Sequence, residues 1–251
     1  MKQFPDFGES TTPVIDAGAS DERMVFAKQR GGMTSGLRMV RNGMVVYCVG
    51  QMIGLMPLIA VLQADVAMGQ GLAMIVLLGA GISVISALLI GGGLMCCLSA
   101  PKKSRCHSSI EISLTCGLLA TFFLLAPYAL DPTNDRSTII GFFLVGGFTA
   151  LLSQYHLIAV IQRLAVFATA YDAIRTTDSL LKAFVGLFIL FFLAACSAAV
   201  SPIFSLFVTA VTAFITVVII ATGAVATGTL LSELRKKSNG FKETIIKLDG
   251  Q

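Results

Sequence analysis

Long apolar stretches alternate with short polar ones along most of this chain. Five of the stretches contain no Asp, Glu, Lys or Arg. A charge-free apolar run of about 18 residues or more is long enough to cross the hydrocarbon core of a bilayer as a helix. The pattern therefore predicts an all-α membrane protein. The charge-free stretches are Gly43–Leu62, Gly71–Ala100, Ile112–Leu130, Ser137–Gln162 and Ala183–Leu231.

The last stretch is too long for a single membrane helix. Ser201 and Pro202 lie within it, and proline breaks a helix because it lacks a backbone N–H. We therefore divide the stretch into two spans joined by a tight hairpin. The resulting prediction is a bundle of six transmembrane helices, arranged as three hairpins, at about 43–62, 71–98, 110–130, 139–162, 180–200 and 203–231.

Polar segments flank this six-helix domain, which covers residues 35–231. Residues 1–34 are rich in Gly, Ser, Thr, Asp and Pro, a composition that buries too little apolar surface to fold and predicts a disordered tail. Residues 232–251 form a second tail that is basic at its start. Between spans 4 and 5, Arg163–Asp178 keeps helix-forming residues, so we expect the fourth helix to continue beyond the membrane.

Basic residues are distributed unequally between the predicted loops. If the N-terminus is inside, Arg136 is the only one of the 18 Lys and Arg residues that falls in an outer loop. Short cytoplasmic loops carry the excess of Lys and Arg in membrane proteins. The pattern therefore predicts that both termini are cytoplasmic.

The composition supports a membrane protein and reduces the number of possible functions. Only 13% of residues are charged, about half the share of a soluble domain. The net charge of +4 does not indicate nucleic-acid binding, because the basic residues lie between spans rather than on one polar face. Nucleotide, hydrolase, metalloprotease and haem-attachment motifs do not occur, so we expect neither an enzyme nor a cofactor.

Three polar residues inside the spans form a first candidate site. They are Gln51 in span 1, six residues before Pro57, and Gln154 and His156 in span 4. Polar side chains in spans usually face the bundle interior, where they can line a solute path. Each could equally make a hydrogen bond to a neighbouring helix.

A second candidate site is a cluster of thiols and an imidazole near the end of span 2. Cys96, Cys97, Cys106 and His107 carry ligands that zinc and copper prefer. Adjacent cysteines on a helix point in different directions, however, and cysteine also occurs in apolar helices as a small hydrophobic residue. Metal binding and plain packing therefore both remain open for this cluster.

Small residues four positions apart occur on spans 2 and 6. This spacing lets helix backbones approach closely. It predicts close packing within the chain, or contact with a second copy or with another membrane protein. The pairs are Gly79 with Ser83, Gly223 with Thr227, and Ala224 with Gly228.

Two segments, GLRMVRNGMVVYCVGQMIGL and LIAVIQRLAVFATAYD, carry a resemblance to known sequences. The chain resembles a loose group of uncharacterised bacterial, planctomycete-like multi-pass membrane proteins. In that group a basic patch precedes span 1, and span 4 ends in an amphipathic helix that contains arginine. The resemblance implies a bacterial inner membrane and attaches no activity.

Three functions follow as hypotheses. The first is a non-enzymatic structural, accessory or interaction subunit, with the lipid bilayer and another membrane chain as partners. The second is a small-solute transporter or channel that uses Gln51, Gln154 and His156. The third is a metal- or thiol-dependent redox protein that uses the Cys96–His107 cluster.

Overall fold

The computed structural model describes residues 31–53, 70–100, 104–129, 136–197 and 202–249. Within these ranges the chain is helical apart from short turns, and none of the described residues forms a strand. The all-α prediction is therefore confirmed for the described ranges. Helix α1 covers 31–53, and the others are α2 Gln70–Cys97, α3 His107–Ala129, α4 Arg136–Ala168, α5 Tyr171–Ser197 and α6 Pro202–Asp249.

Four of these helices contain segments that are long and apolar enough to cross a membrane. The segments are His107–Leu124, Leu144–Ala168, Tyr171–Ser197 and Phe207–Lys236. Helix α2 contributes a shorter apolar segment, Gly81–Cys97. Helices of this length and composition indicate an integral membrane protein.

Each helix packs antiparallel to the next where contacts are described. On α3 and α4, Ser113 lies opposite Ser153, and Leu124 lies against Gly146 near the other end. On α4 and α5, Phe148 packs against both Phe188 and Phe192, and Tyr155, further along α4, packs against the earlier Phe184. Helix directions therefore alternate across these pairs, as they do in an up-and-down bundle.

Helices α1 and α2 approach each other unusually closely. Gly36, Gly43 and Gly50 recur every seven residues on α1 and face α2. A Cβ atom placed on Gly36 would lie 2.6 Å from the carbonyl oxygen of Gly93. The fully buried Ser86 donates a 2.8 Å hydrogen bond to the Gly43 carbonyl. The glycines thus let the two backbones meet with almost no side chain between them.

Helix α1 also packs against α4 and α6. Met44 is fully buried, and its side chain lies close to Gly223 of α6. Ile158 of α4 reaches the same glycine. Cys48 Sγ donates a 3.6 Å hydrogen bond to the Val217 carbonyl. These contacts pack one side of α1 against α2, α4 and α6, whereas Val45, Val49 and Met52 on its other side are exposed.

The boundary between α4 and α5 differs from the sequence-based expectation. The helix does not run through Arg163–Asp178 but ends at Ala168, and α5 begins at Tyr171. Thr169 has a left-handed φ of 52°. The Ala170 N–H bonds to the Ala165 carbonyl, and the Thr169 N–H bonds to the Val166 carbonyl. This pair of hydrogen bonds is a Schellman stop, which usually places glycine where Thr169 stands.

Helix α6 is the helix that continues beyond a membrane span. It runs from Pro202 to Asp249 without a break, so the tail predicted from residue 232 is helical up to residue 249. At 1.5 Å per residue, its length is about 72 Å, more than twice the roughly 30 Å hydrocarbon core. The predicted division near Ser201-Pro202 agrees with separate helices α5 and α6, but Ser201 itself lies outside the described residues, as do residues 1–30 and Pro57.

Candidate functional site

One end of the bundle gathers most of the described basic residues, and we call it the basic end. It contains the start of α1, the end of α2, the start of α3, the end of α4, the start of α5 and the part of α6 that packs near Arg41. Arg136 begins α4 at the opposite end. The basic residues placed here by their helices are Arg38, Arg41, Arg105, Arg163, Arg175, Lys182, Arg235 and Lys236.

An open cleft of about 1130 Å³ lies at the basic end, between the start of α3 and the last turns of α4. Val166 and Phe167 form an apolar wall on the α4 side. Val166 is 55% exposed, so the wall continues onto the outer surface of the bundle. The polar lining consists of Ser104, Arg105, His107, Ser108, Gln162 and Arg163.

Arg163 holds the two sides of the cleft together. Its Nη1 donates a 2.6 Å hydrogen bond to the Arg105 carbonyl and a 3.2 Å bond to Ser108 Oγ. These contacts use one nitrogen of the guanidinium, and no bond from its Nε or Nη2 to a described residue is observed. Since a guanidinium offers five N–H donors, Arg163 can bind the cleft wall and an anion together.

Neither arginine in the cleft is neutralised by a described acid. The ion pairs among the described residues join Lys182 to Asp178 and Lys236 to Glu233, both on exposed helix faces. Arg105 is exposed and adopts a left-handed φ of 53°. Residues in this conformation are sparse and occur preferentially at functional sites.

The first turn of α3 adds further donors to the cleft. Helix α3 begins at His107, and the Ile110 N–H bonds to the Cys106 carbonyl. The first N–H groups of a helix have no partner within the helix and carry a partial positive charge. The cleft therefore combines two cationic side chains with the positive end of a helix.

Gln51 and Gln154, predicted as possible cavity-lining residues, each contact a neighbouring helix. Gln51 Nε2 lies 3.4 Å from Ser83 Oγ on α2. Gln154 Nε2 donates a 2.9 Å hydrogen bond to the Tyr47 hydroxyl on α1. These two contacts lie on different helix pairs that share α1, and no hydrogen bond joins the two glutamines to each other.

The contacts of His156 do not involve either glutamine. Its ring stacks edge-on against Tyr155, with 5.4 Å between the ring centroids. His156 Nδ1 is buried, and so is Gln154 Oε1, and neither atom has a partner among the described residues. The cleft at the basic end is not lined by Gln51, Gln154 or His156.

The predicted thiol–imidazole cluster is brought together only in part. Cys97 and Cys106 are both fully buried, and Cys106 Sγ lies 3.0 Å from Ser104 Oγ. His107 Nε2 lies 3.1 Å from the Leu98 carbonyl, which can only accept, so this nitrogen is the donor and is not free to bind a metal. Among the described residues, no group of three His, Cys, Asp or Glu side chains has metal-binding geometry.

The predicted small-residue pairs lie on packed faces of the bundle. On α2, Ser83 Oγ bonds to the Gly79 carbonyl, and Gly50 of α1 packs on both. On α6, Thr227 is fully buried, and Gly223 receives Met44 and Ile158. Close packing within the chain thus accounts for these two pairs.

Comparison with known proteins adds no family and no relative to these observations. No protein-family model matches the sequence, and searches of curated proteins and of solved structures give no significant match. The resemblance to planctomycete-like membrane proteins therefore stays a prediction.

The sequence analysis predicted neither the close α1–α2 contact nor the cleft, but the sequence does contain a signal for the first of them. The seven-residue spacing of Gly36, Gly43 and Gly50 was visible and marks one face of a helix. The cleft left no comparable signal, because Arg105 and Arg163 are 58 residues apart. Only the antiparallel packing of α3 on α4 brings these two residues together.

Proposed function

We propose that this chain is a six-span, non-enzymatic protein of the bacterial inner membrane that serves as a structural, accessory or interaction subunit. The observation that carries the proposal is that polar groups within the apolar helices form hydrogen bonds to neighbouring helices. Gln154 bonds to Tyr47, and Ser113 and Ser153 bond to each other's backbone. In the membrane, such bonds stabilise helix association.

Two features support the six-span arrangement. Helix α1 packs antiparallel on the apolar α2 and contacts α4 and α6 within the bundle, which favours a membrane location for both α1 and α2. Most of the described basic residues lie at one end of the bundle, as expected for a cytoplasmic face. The termini are then both cytoplasmic.

The mass of the native particle tests the proposal. The full chain is extracted directly into polymer-bounded lipid discs, and the protein mass is measured by light scattering on a gel-filtration column. A subunit gives a particle heavier than one 26.5 kDa chain, with a second copy or another membrane protein in fixed proportion. A single chain alone would contradict the proposal.

A solute path remains the second candidate because Gln154 Oε1 and His156 Nδ1 are buried without a partner in the part of the chain that the structure describes. Buried polar atoms are rarely left without a partner, and water or a solute would provide one. Cysteine accessibility separates the two functions. In a background without the native cysteines, Gln154→Cys, His156→Cys and the buried control Leu157→Cys are treated with a membrane-impermeant thiol reagent.

The two candidates predict opposite results in this experiment. A subunit with a packed interior leaves all three cysteines unmodified. A water-filled path makes Gln154→Cys and His156→Cys react while Leu157→Cys stays protected, because Leu157 is only 3% exposed. Labelling of that kind would replace the proposed function with the solute path.

A further inference from the structure

The cleft at the basic end has the composition of a phosphate-binding site. Arg105 and Arg163 line it without an acidic partner among the described residues, and the first turn of α3 opens onto it. Phosphate oxygens bind strongly to guanidinium groups and to helix N-termini. Glu111 is exposed one turn further along α3, and it does not line the cleft.

The donors of Arg163 are held in place before any ligand arrives. Hydrogen bonds from Nη1 to the Arg105 carbonyl and to Ser108 Oγ fix the guanidinium plane. A fixed group loses less conformational entropy on binding than a free surface arginine, so the same contacts give a higher affinity. This arrangement distinguishes Arg163 from Arg175, which is exposed on α5 at the same end.

The apolar wall indicates which phosphate compound the cleft takes. Val166 is 55% exposed on the last turns of a helix that is apolar enough to span a membrane. A soluble phosphate ester gains nothing from such a wall. A phospholipid places its phosphate at the membrane surface and its acyl chains along the apolar helices, so it matches both sides of the cleft.

We propose that this cleft binds the phosphate group of an anionic phospholipid of the cytoplasmic leaflet. Arg105 and Arg163 bind the phosphate oxygens, the α3 N-terminus adds its positive potential, and Val166 contacts an acyl chain. Basic pockets between helices on the cytoplasmic side favour anionic headgroups in this way. The choice of leaflet rests on the proposed topology, whereas lipid binding does not depend on a protein partner.

Native mass spectrometry of the purified full chain tests the site. The protein is stripped of lipid in detergent and titrated with phosphatidylglycerol, and in parallel with zwitterionic phosphatidylcholine. The cleft variant is Arg105→Gln, because the side chain of Arg105 makes no described bond and its carbonyl, which accepts from Arg163, is retained. Arg163→Gln is a second variant, and Arg175→Gln is the matched control outside the cleft.

The wild-type chain is expected to bind phosphatidylglycerol in preference to phosphatidylcholine. Arg105→Gln should weaken phosphatidylglycerol binding by about fivefold, the effect of one cation near an anionic lipid surface. Arg163→Gln should weaken it at least as much, and Arg175→Gln should leave it unchanged. Equal weakening by Arg105→Gln and Arg175→Gln would show only general surface attraction and would overturn the cleft as the site.

Glycerol 3-phosphate, added as a competitor, separates a lipid from a soluble phosphate ester. A lipid site is expected to keep its phosphatidylglycerol at millimolar glycerol 3-phosphate. Val166→Asn should weaken the binding of phosphatidylglycerol without changing that of glycerol 3-phosphate. Binding of glycerol 3-phosphate at least as strong as that of phosphatidylglycerol would overturn the lipid assignment. Because purified single chains suffice for these measurements, a failure here is distinct from a failure of the proposed subunit function.

Discussion

Ser113 and Ser153 show how a membrane helix uses small polar residues. Each hydroxyl donates to the backbone carbonyl of the other serine, at 2.9 Å and 2.8 Å. Gly117, one turn beyond Ser113, lies against Ser153, so the helices come close enough for these short side chains to reach across. A longer side chain at either position would separate the two backbones.

Replacement of either serine by alanine should destabilise the contact between α3 and α4 slightly. Ser113→Ala and Ser153→Ala should each lower the free energy of unfolding by about 0.6 kcal/mol, the average for such bonds in membrane proteins. Thr121→Ala is the control, because the Thr121 hydroxyl bonds only to the Gly117 carbonyl of its own helix. Unfolding in mixed micelles measures all three. Equal losses for Ser113→Ala and Thr121→Ala would contradict the interhelical role.

Gly93 permits the closest contact between α1 and α2. A Cβ atom on this residue would lie 2.7 Å from the Gly36 carbonyl oxygen and 2.8 Å from the Val40 backbone nitrogen. Both neighbours are backbone atoms, so neither can move aside by changing a side-chain rotamer. Gly93→Ala should therefore force the helices apart and lower the free energy of unfolding by about 1–3 kcal/mol, the usual cost of overpacking.

Gly81 on the same helix provides the matched control for Gly93. A Cβ atom there meets nothing within 4 Å, and alanine is the better helix former. Gly81→Ala should leave stability unchanged or raise it when both variants are compared by thermal unfolding in the same detergent. Similar losses from both variants would mean that helix conformation, rather than the α1–α2 contact, determines the effect.

At the scale of helices, the stop at Thr169 offers a direct test of the α4–α5 boundary. A β-branched residue at φ 52° is strained by about 1–2 kcal/mol relative to the right-handed conformation. Glycine adopts this conformation freely. Thr169→Gly should therefore keep or raise the free energy of unfolding, even though glycine adds entropy to the unfolded chain.

Thr176 inside α5 is the control for the boundary experiment. Thr176→Gly places glycine in a helix interior and should lower the free energy of unfolding by about 0.3 kcal/mol, the difference between the helix propensities of threonine and glycine. Both free energies come from the same denaturant titration. If Thr169→Gly destabilised the protein as much as Thr176→Gly, the left-handed stop would be contradicted, and the continuous helix predicted from the sequence would be supported.

These helix boundaries show which structural features the sequence patterns did not predict. The charge-free runs predicted the apolar helices, because hydrophobic length alone determines whether a helix can span a membrane. The stop after Ala168 has no glycine or proline to mark it. It depends instead on tertiary packing, since Ala170 and Ala173 are buried just after the turn. In α6, by contrast, Asn239 and Gly240 form a typical stop signal, and the helix nevertheless continues through them.

The candidate site was less predictable than the fold for a similar reason. Charge patterns placed Arg105 and Arg163 on the same side of the membrane, but the pattern could not place them in one cleft. Their contact depends on the register between α3 and α4, which Ser113, Ser153 and Gly146 set through close packing. Because 58 residues separate Arg105 from Arg163 in the sequence, no local sequence pattern indicates their contact.

At the scale of the whole molecule, charge asymmetry is the feature that determines orientation. Basic residues lie at one end of the described helices, and Arg136 lies at the other. Lys and Arg next to short loops resist translocation, so we expect the basic end to stay in the cytoplasm. Exposed apolar side chains cover the helix surfaces between the two ends, as a lipid-facing belt requires; Leu88 and Leu118 are examples.

Reporter fusions at the predicted loops test this orientation for the whole chain. Alkaline phosphatase, active only outside the cytoplasm, should be active when fused after residues 66 and 134 and inactive after residues 103 and 251. Green fluorescent protein, which fluoresces inside, should show the reverse pattern. Because α6 runs unbroken from Pro202, the result at residue 251 depends on whether α5 and α6 form two separate spans. Phosphatase activity at 251 together with inactivity at 103 would mean that α5 and α6 cross the membrane only once, and would contradict the six-span arrangement while leaving α1 to α4 in place.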